Sequence, residues 1–232
     1  MKGFYILGGY PDLQTFEECF SYVTNRADFV EVGIAYNDPV ADGPIIAKAA
    51  DVVVKNRTNM EDILDIVEKH KKSKLYIMTY SNIFYQYGLK EFSSKYNSLI
   101  DGVIVADLPN RQHEFFYDKG FEIPIIPFVT PESRQEDIEK LKDNKADFIY
   151  FVGVRGVTGS SVNFLSDELI DKVNVVKKIT GKKVVFGFGI KTKEDVKKVL
   201  TYSDGFVIGT QAVKRQDDIN EFQRYIDSIV GQ

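Results

Sequence analysis

The chain has 232 residues, 44% hydrophobic and 28% charged, a length that suits one α/β barrel or two smaller domains and needs no covalent staples. A net charge of −4 argues against a nucleic-acid footprint, and one cysteine with two histidines argues against an internal disulfide or a structural zinc site. No apolar run approaches the ~20 residues of a membrane span and no signal peptide precedes the first strand-like run, so a cytoplasmic, metal-free protein with no membrane or nucleic-acid partner is expected.

Short runs rich in Val, Ile, Phe and Tyr alternate with amphipathic stretches along the whole chain. In chain order, strand 4–7 precedes helix 15–23, and strand 29–33 precedes helices 45–54 and 61–71. Strand 75–79 leads to helix 90–96, strand 102–106 to helix 111–117, and strand 125–128 to helix 135–141. Strand 148–152 leads to helix 166–179, strand 184–187 to helix 193–200, and strand 205–208 to helix 218–229. Thr192 before Lys-Glu-Asp reads as an N-cap, because its hydroxyl can accept a free backbone N–H.

Eight strands alternating with helices predict a parallel sheet, and eight repeats in this length fit a closed (β/α)₈ TIM barrel spanning residues 1–232 as one domain. An open doubly wound sheet is the alternative. It lacks support from a Gly-x-Gly-x-x-Gly after the first strand, where Gly8-Gly9 reads only as a turn. In a barrel, function is expected at the C-terminal ends of the strands.

The segment Phe29-Val-Glu-Val-Gly-Ile-Ala-Tyr-Asn-Asp-Pro-Val-Ala-Asp-Gly-Pro44 carries the most information. Strand side chains alternate between faces, so Val30, Val32 and Ile34 face the helices while Glu31 points into the barrel. Burying a carboxylate without partners costs several kcal/mol. Desolvation also raises its pKa toward working pH, which makes Glu31 a candidate general acid and base; a structural Glu paired with a backbone donor is the bland alternative. Asp38 and Asp42 follow in Asp-Pro and Asp-Gly pairs, which also form turns. One buried and one loop acid would allow divided protonation roles.

Three glycine segments follow the last three strands: Phe151-Val-Gly-Val-Arg-Gly-Val-Thr-Gly159, Gly187-Phe-Gly-Ile190 and Val207-Ile-Gly-Thr210. Glycine lets backbone N–H groups approach a phosphate, and barrels often hold phosphate after strands seven and eight. Each glycine alone could equally serve a tight turn.

Together these motifs resemble the tryptophan synthase alpha subunit family. The resemblance rests on Glu31-Val-Gly-Ile with Asp38-Pro-Val-Ala-Asp42-Gly-Pro44, on Tyr80-Ser-Asn82, on Ala106-Asp-Leu-Pro109, on Gly156-Val-Thr-Gly159 and on Gly187-Phe-Gly-Ile190. It implies retro-aldol cleavage of indole-3-glycerol phosphate to indole and glyceraldehyde 3-phosphate by a carbon–carbon lyase. It implies that Glu31 is the catalytic acid and base and that Asp42 holds the indole N–H. Tyr150 and the loop residue Thr158 would belong to the substrate site, with Phe188 and Phe128 as its apolar walls. Gly159, Gly189, Gly209 and Thr210 would bind phosphate, Thr210 standing where a serine is usual. The resemblance further implies a pyridoxal-phosphate-dependent beta subunit that receives indole in an alpha2beta2 heterotetramer, with Asp38, Pro39, Asn82 and Pro109 on the docking surface. No cofactor of this chain's own is expected.

The chain departs from the family pattern at Ala35-Tyr36-Asn37, usually Pro-Phe-Ser, at Ile83, usually proline, and at Gly153, often serine; Arg155 enters the sixth loop. The first strand-like run begins almost at Met1, so the family's N-terminal leader helix is expected to be absent, exposing apolar surface at the barrel bottom unless a terminus or neighbour covers it. His70 and His113 read as solvated surface residues, the basic run 69–74 as a helix C-terminus, and Cys19 as a small buried hydrophobe. Two further functions stay open from sequence: another phosphate-substrate barrel, and an inactive regulatory barrel, the latter opposed by intact Glu31, Asp42 and Thr158.

Overall fold

The computed structural model describes residues 1–153 and 163–231. Its strands are β1 (Lys2–Leu7), β2 (Phe29–Gly33), β3 (Lys74–Thr79), β4 (Gly102–Val105), β5 (Phe128–Val129), β6 (Phe148–Phe151), β7 (Lys183–Phe186) and β8 (Gly205–Ile208). They pair in parallel in the order β4-β3-β2-β1-β8-β7-β6-β5. The ring closes where Val103 N donates to Pro124 O at 2.8 Å and Ile126 N donates to Val103 O at 2.8 Å. This is the expected (β/α)₈ barrel.

Strand five differs from its expected run 125–128. Ile125 makes one bridge to Val103, and the ladder to β6 begins only at Phe128. Pro124 and Pro127 have no N–H to donate, so a continuous ladder cannot form there.

The helices are α1 (Leu13–Thr24), α2 (Pro44–Lys55), α3 (Met60–His70), α4 (Ser81–Tyr87), α5 (Leu89–Tyr96), α6 (His113–Asp118), α7 (Gln135–Glu139), α8 (Asp167–Thr180), α9 (Lys193–Val199), α10 (Thr210–Val213) and α11 (Ile219–Val230), with a 3₁₀ turn at Asn110–Gln112. Short α4 and α10 were not foreseen; neither is long enough to show a helical period. Thr192 caps α9 as expected: Asp195 N donates to its Oγ1, and Asp195 Oδ2 accepts from Thr192 N. No helix of the described residues is long and apolar enough to cross a membrane.

Strand alternation splits the apolar residues into two layers. Phe4, Ile6, Val30, Val32, Leu75 and Ile77 pack outward against helices, including Phe16, Cys19 and Phe20 of α1. The inward layer is aromatic at its floor. Phe29, Tyr76 and Phe148 are 0% exposed, and their ring centroids lie 5.4, 5.6 and 5.1 Å apart. Gly3 makes room for this floor, since a Cβ there would overlap the Phe29 ring. The Tyr76 hydroxyl donates to Asp147 at 2.9 Å, and Lys74 pairs with the same carboxylate. Leu200, just past α9, remains exposed.

Both histidine expectations need correction. His113 is buried: with Phe116 three residues on, it forms the inward stripe of α6, and burial pushes its imidazole down to about 4. His70 is half-buried, with Nε2 2.6 Å from Glu17 Oε1. The basic run does end a helix at His70, and Lys69 and Lys71 reach Glu17 and Asp101 at 2.7 Å each. Cys19 is buried as expected.

Phe148→Ala should cost about 3–5 kcal/mol by opening a cavity in the aromatic floor. Urea unfolding of the variant checks this, and a loss below 1 kcal/mol would mean that the floor collapses to fill the gap.

Candidate active site

Glu31 sits at the middle of β2, beside Tyr5 of β1 and Tyr76 of β3 in register. It is 0% exposed, and neither carboxyl oxygen has a hydrogen-bond partner among the described residues. Burial pushes its carboxyl up to about 8, because the charged form loses hydration and gains no donor. The protonated acid is therefore the resting form at neutral pH. Gly33, two residues on and on the same face, leaves space above it. A Cβ there would overlap the Tyr5 hydroxyl, so the glycine admits that phenol to the cavity.

Asp42 stands at the end of the loop between β2 and α2. Burial raises its carboxyl, and a hydrogen bond from Tyr80 opposes that rise. The Tyr80 hydroxyl donates to Asp42 Oδ2 at 3.2 Å and accepts from Ala41 N at 3.0 Å. Tyr36 stacks on Tyr80 with centroids 5.1 Å apart. Asp107 holds the start of α4 next to Tyr80, accepting from Ser81 N at 2.7 Å and Ser81 Oγ at 2.8 Å. The loop acid is thus fixed by residues from three strand ends.

Glu31 and Asp42 line one cavity of about 750 Å³ at the C-terminal ends of the strands. Tyr150, Phe128 and Phe188 form its apolar walls. The Tyr150 hydroxyl donates to Gly187 O at 3.3 Å, and a Cβ on Gly187 would overlap its ring. Gly189, Gly209 and Thr210 line the same cavity, Gly189 with φ +75° and Gly209 as the residue preceding α10. Lys191 is the one basic residue among the described lining residues.

Asp38 and Pro39 lie on the loop after β2, Asn82 is the second residue of α4 after β3, and Pro109 follows β4. Three adjacent strand ends therefore bring all four to one rim. Asp38 and Pro109 are exposed, and Asn82 Nδ2 donates to the Tyr36 hydroxyl at 3.4 Å. Thr158 and Gly159 lie outside the described residues. Sequence reasoning did not single out Tyr5, Met78, Thr130 or Lys191 as cavity residues, nor Tyr80 as the partner of Asp42. Tyr5 carried a usable signal, since it shares the inward phase of β1; Tyr80 did not, because its contact spans 38 residues.

A buried carboxyl with a second acid above it, lining one cavity at the C-terminal ends of the strands, places this chain among (β/α)₈ barrels with acidic sites at that end. The family described as tryptophan synthase alpha chain matches residues 4–228. The tryptophan synthase alpha chain of Staphylococcus epidermidis is 37% identical over 97% of this chain and 94% of its own. That of Aquifex aeolicus is 34% identical over 90% and 83%. A solved structure of the Campylobacter jejuni tryptophan synthase subunit alpha superposes with a TM-score of 0.87, at 31% identity over 98% of this chain and 94% of that one. The chain belongs to the tryptophan synthase alpha chain family, a lyase family of tryptophan biosynthesis whose known reaction is indole-3-glycerol phosphate cleavage.

The burial of Glu31 has a consequence for stability. Its folded pKa of about 8 lies above the ordinary 4.5, so folding favours the protonated form. That contribution is fully present below 4.5 and is lost as pH rises through about 8. Glu31→Gln should therefore melt close to the parent near the lower value and several degrees higher at the upper one. Thermal melts across this range test it; a constant difference would show that Glu31 is not desolvated.

Proposed function

We propose that this chain cleaves indole-3-glycerol phosphate to indole and glyceraldehyde 3-phosphate, as one barrel domain with Glu31 deep in its cavity and Asp42 above it. The observation that carries the reading is the buried, protonated Glu31, with no partner among the described residues, lining the same cavity as Asp42. Indole fits between Phe128 and Phe188, and the glycerol phosphate arm runs toward Gly189, Gly209 and Thr210. There the glycines keep side chains out of the way of a phosphate, and Lys191 adds positive charge.

In the first step the Glu31 carboxylic acid gives its proton to the indole carbon that bears the side chain. The ring nitrogen becomes cationic, and the Asp42 carboxylate accepts its N–H and stabilises that charge. The hydrogen bond from Tyr80 favours the ionised Asp42 that this requires. In the second step the Glu31 carboxylate takes the proton of the adjacent glycerol hydroxyl. The carbon–carbon bond breaks, its electron pair neutralises the ring, and the hydroxyl carbon becomes the aldehyde. Glu31 ends protonated, as it began. Thr158 and Gly159 would complete the orientation of Asp42 and the grip on phosphate.

The product is apolar, and the family resemblance supplies a consumer: a beta subunit carrying pyridoxal phosphate, in an alpha2beta2 heterotetramer in the cytoplasm. The rim of Asp38, Pro39, Asn82 and Pro109 supports this docking surface, with Val40 73% exposed and Tyr85 47% exposed beside it. This chain's own chemistry uses no cofactor.

An assay of indole release, with and without the beta subunit, tests the reading. The chain contains no tryptophan, so an indole fluorescence signal comes from the ligand. Glu31→Gln should abolish turnover, and Asp42→Asn should lower it by ~10²–10⁴-fold. In the parent, kcat/KM should fall as pH rises through about 8, where Glu31 loses the proton it must give. Near-normal turnover by Glu31→Gln would overturn the mechanism.

A further inference from the structure

The seam between β1 and β8 opens before β1 ends. Their pairing covers only Lys2, Gly3 and Phe4 on the β1 side. Backbone groups of successive residues in β1 point alternately to its two neighbours. Met1 O accepts from Phe206 N on the β8 side, whereas Lys2 O accepts from Asp28 N on the β2 side. Leu7, with the same parity as Met1, therefore presents both its N–H and its C=O toward β8, where no strand residue meets them.

Gln216 fills that place. It is 0% exposed and lies three residues beyond α10. Leu7 N donates to Gln216 Oε1 at 2.9 Å, and Gln216 Nε2 donates to Leu7 O at 2.7 Å. The second hydrogen of the same amide goes to Tyr10 O at 2.8 Å. A side-chain amide has the same donor and acceptor as a peptide unit, so this one acts as a one-residue strand. On the other side, Cys19 Sγ of α1 lies 3.6 Å from the backbone oxygen of Gln216. Buried polar groups of this kind are strongly held, because losing one partner strands the other without water.

The segment from Gly209 to Gln216 is thus pinned at both ends, by β8 before it and by this amide after it. Between the pins, Gly209 and Thr210 face the cavity while α10 packs on β1 and α2. We propose that Gln216 is a positioning residue: it fixes the turn at Gly209 and Thr210 at the phosphate end of the site without touching substrate. This inference rests on the phosphate role of that turn in the proposed function.

The test compares two ligands, a 3-indolylalkyl phosphate and the corresponding alcohol, by calorimetry on the full chain. Gln216→Leu keeps volume and removes all three side-chain hydrogen bonds; Gln216→Met keeps length and does the same, should the first variant not fold. The parent should prefer the phosphate ester. In the variants, affinity for the ester should fall about tenfold or more, the scale of one hydrogen bond to a charged group. Affinity for the alcohol should stay within about twofold, because the indole walls lie on other strand ends; KM should rise more than kcat falls. A purely structural role would lower the melting temperature and leave the ester-to-alcohol ratio unchanged. That unchanged ratio, against a clear preference in the parent, would overturn the positioning role alone. A parent that binds both ligands equally would overturn the phosphate reading and this inference with it.

Discussion

One unpaired carboxyl governs the upper half of this barrel. Glu31 is buried among aromatic rings with no donor to either oxygen among the described residues, so it holds its proton at neutral pH. In the proposed reaction this lets one carboxyl be an acid in one step and a base in the next, because its two forms lie close in free energy. The surrounding residues maintain that condition. Tyr5, Tyr76 and Tyr150 exclude water from its sides, and the floor of Phe29, Tyr76 and Phe148 closes the space below. Packing that stabilises the barrel is therefore also what sets the proton affinity of its acid.

Asp42 is placed differently: it accepts a hydrogen bond from Tyr80, which favours its charged form, and it lines the cavity from the loop above Glu31. Two carboxyls eleven positions apart thus sit in different environments, one fully buried and one hydrogen-bonded to Tyr80. On the side of the cavity where the proposed function puts the phosphate, Gly189 and Gly209 leave space, and the buried amide of Gln216 ties the segment beyond α10 to β1. Each device needs a rigid frame, and the closed ring of strands supplies it.

The departures from the family pattern fall into this frame without removing an acid. Tyr36 stacks on Tyr80, and its hydroxyl accepts from Asn82. The loop of Ala35, Tyr36 and Asn37 thus remains tied to the third strand end. At Gly153, a Cβ would overlap the Phe186 ring, so a serine there would require that ring to move. Ile83 lies within α4, where a β-branched residue continues a helix without the loss of an N–H that proline would bring.

Period and composition were enough for the barrel. Runs of Val, Ile and Phe alternating with amphipathic helices define eight repeats, and the two-residue phase of β2 points Glu31 inward. Those are local properties, written in consecutive residues. The motif at 38–44 and the glycine turns likewise marked the site, because a short string carries its own backbone conformation. What the sequence left undecided depends on contacts across the fold. His113 looked like a surface residue until α6 docked and turned it inward. Strand five looked regular until Pro124 and Pro127 met neighbours that needed donors. Tyr80 reached Asp42 across 38 residues, and Gln216 reached Leu7 across 209. Sequence determined most of the elements and the inward phase of β2; tertiary structure alone decided which polar groups find partners and which, like Glu31, have none among the described residues, because that depends on where distant strand ends meet.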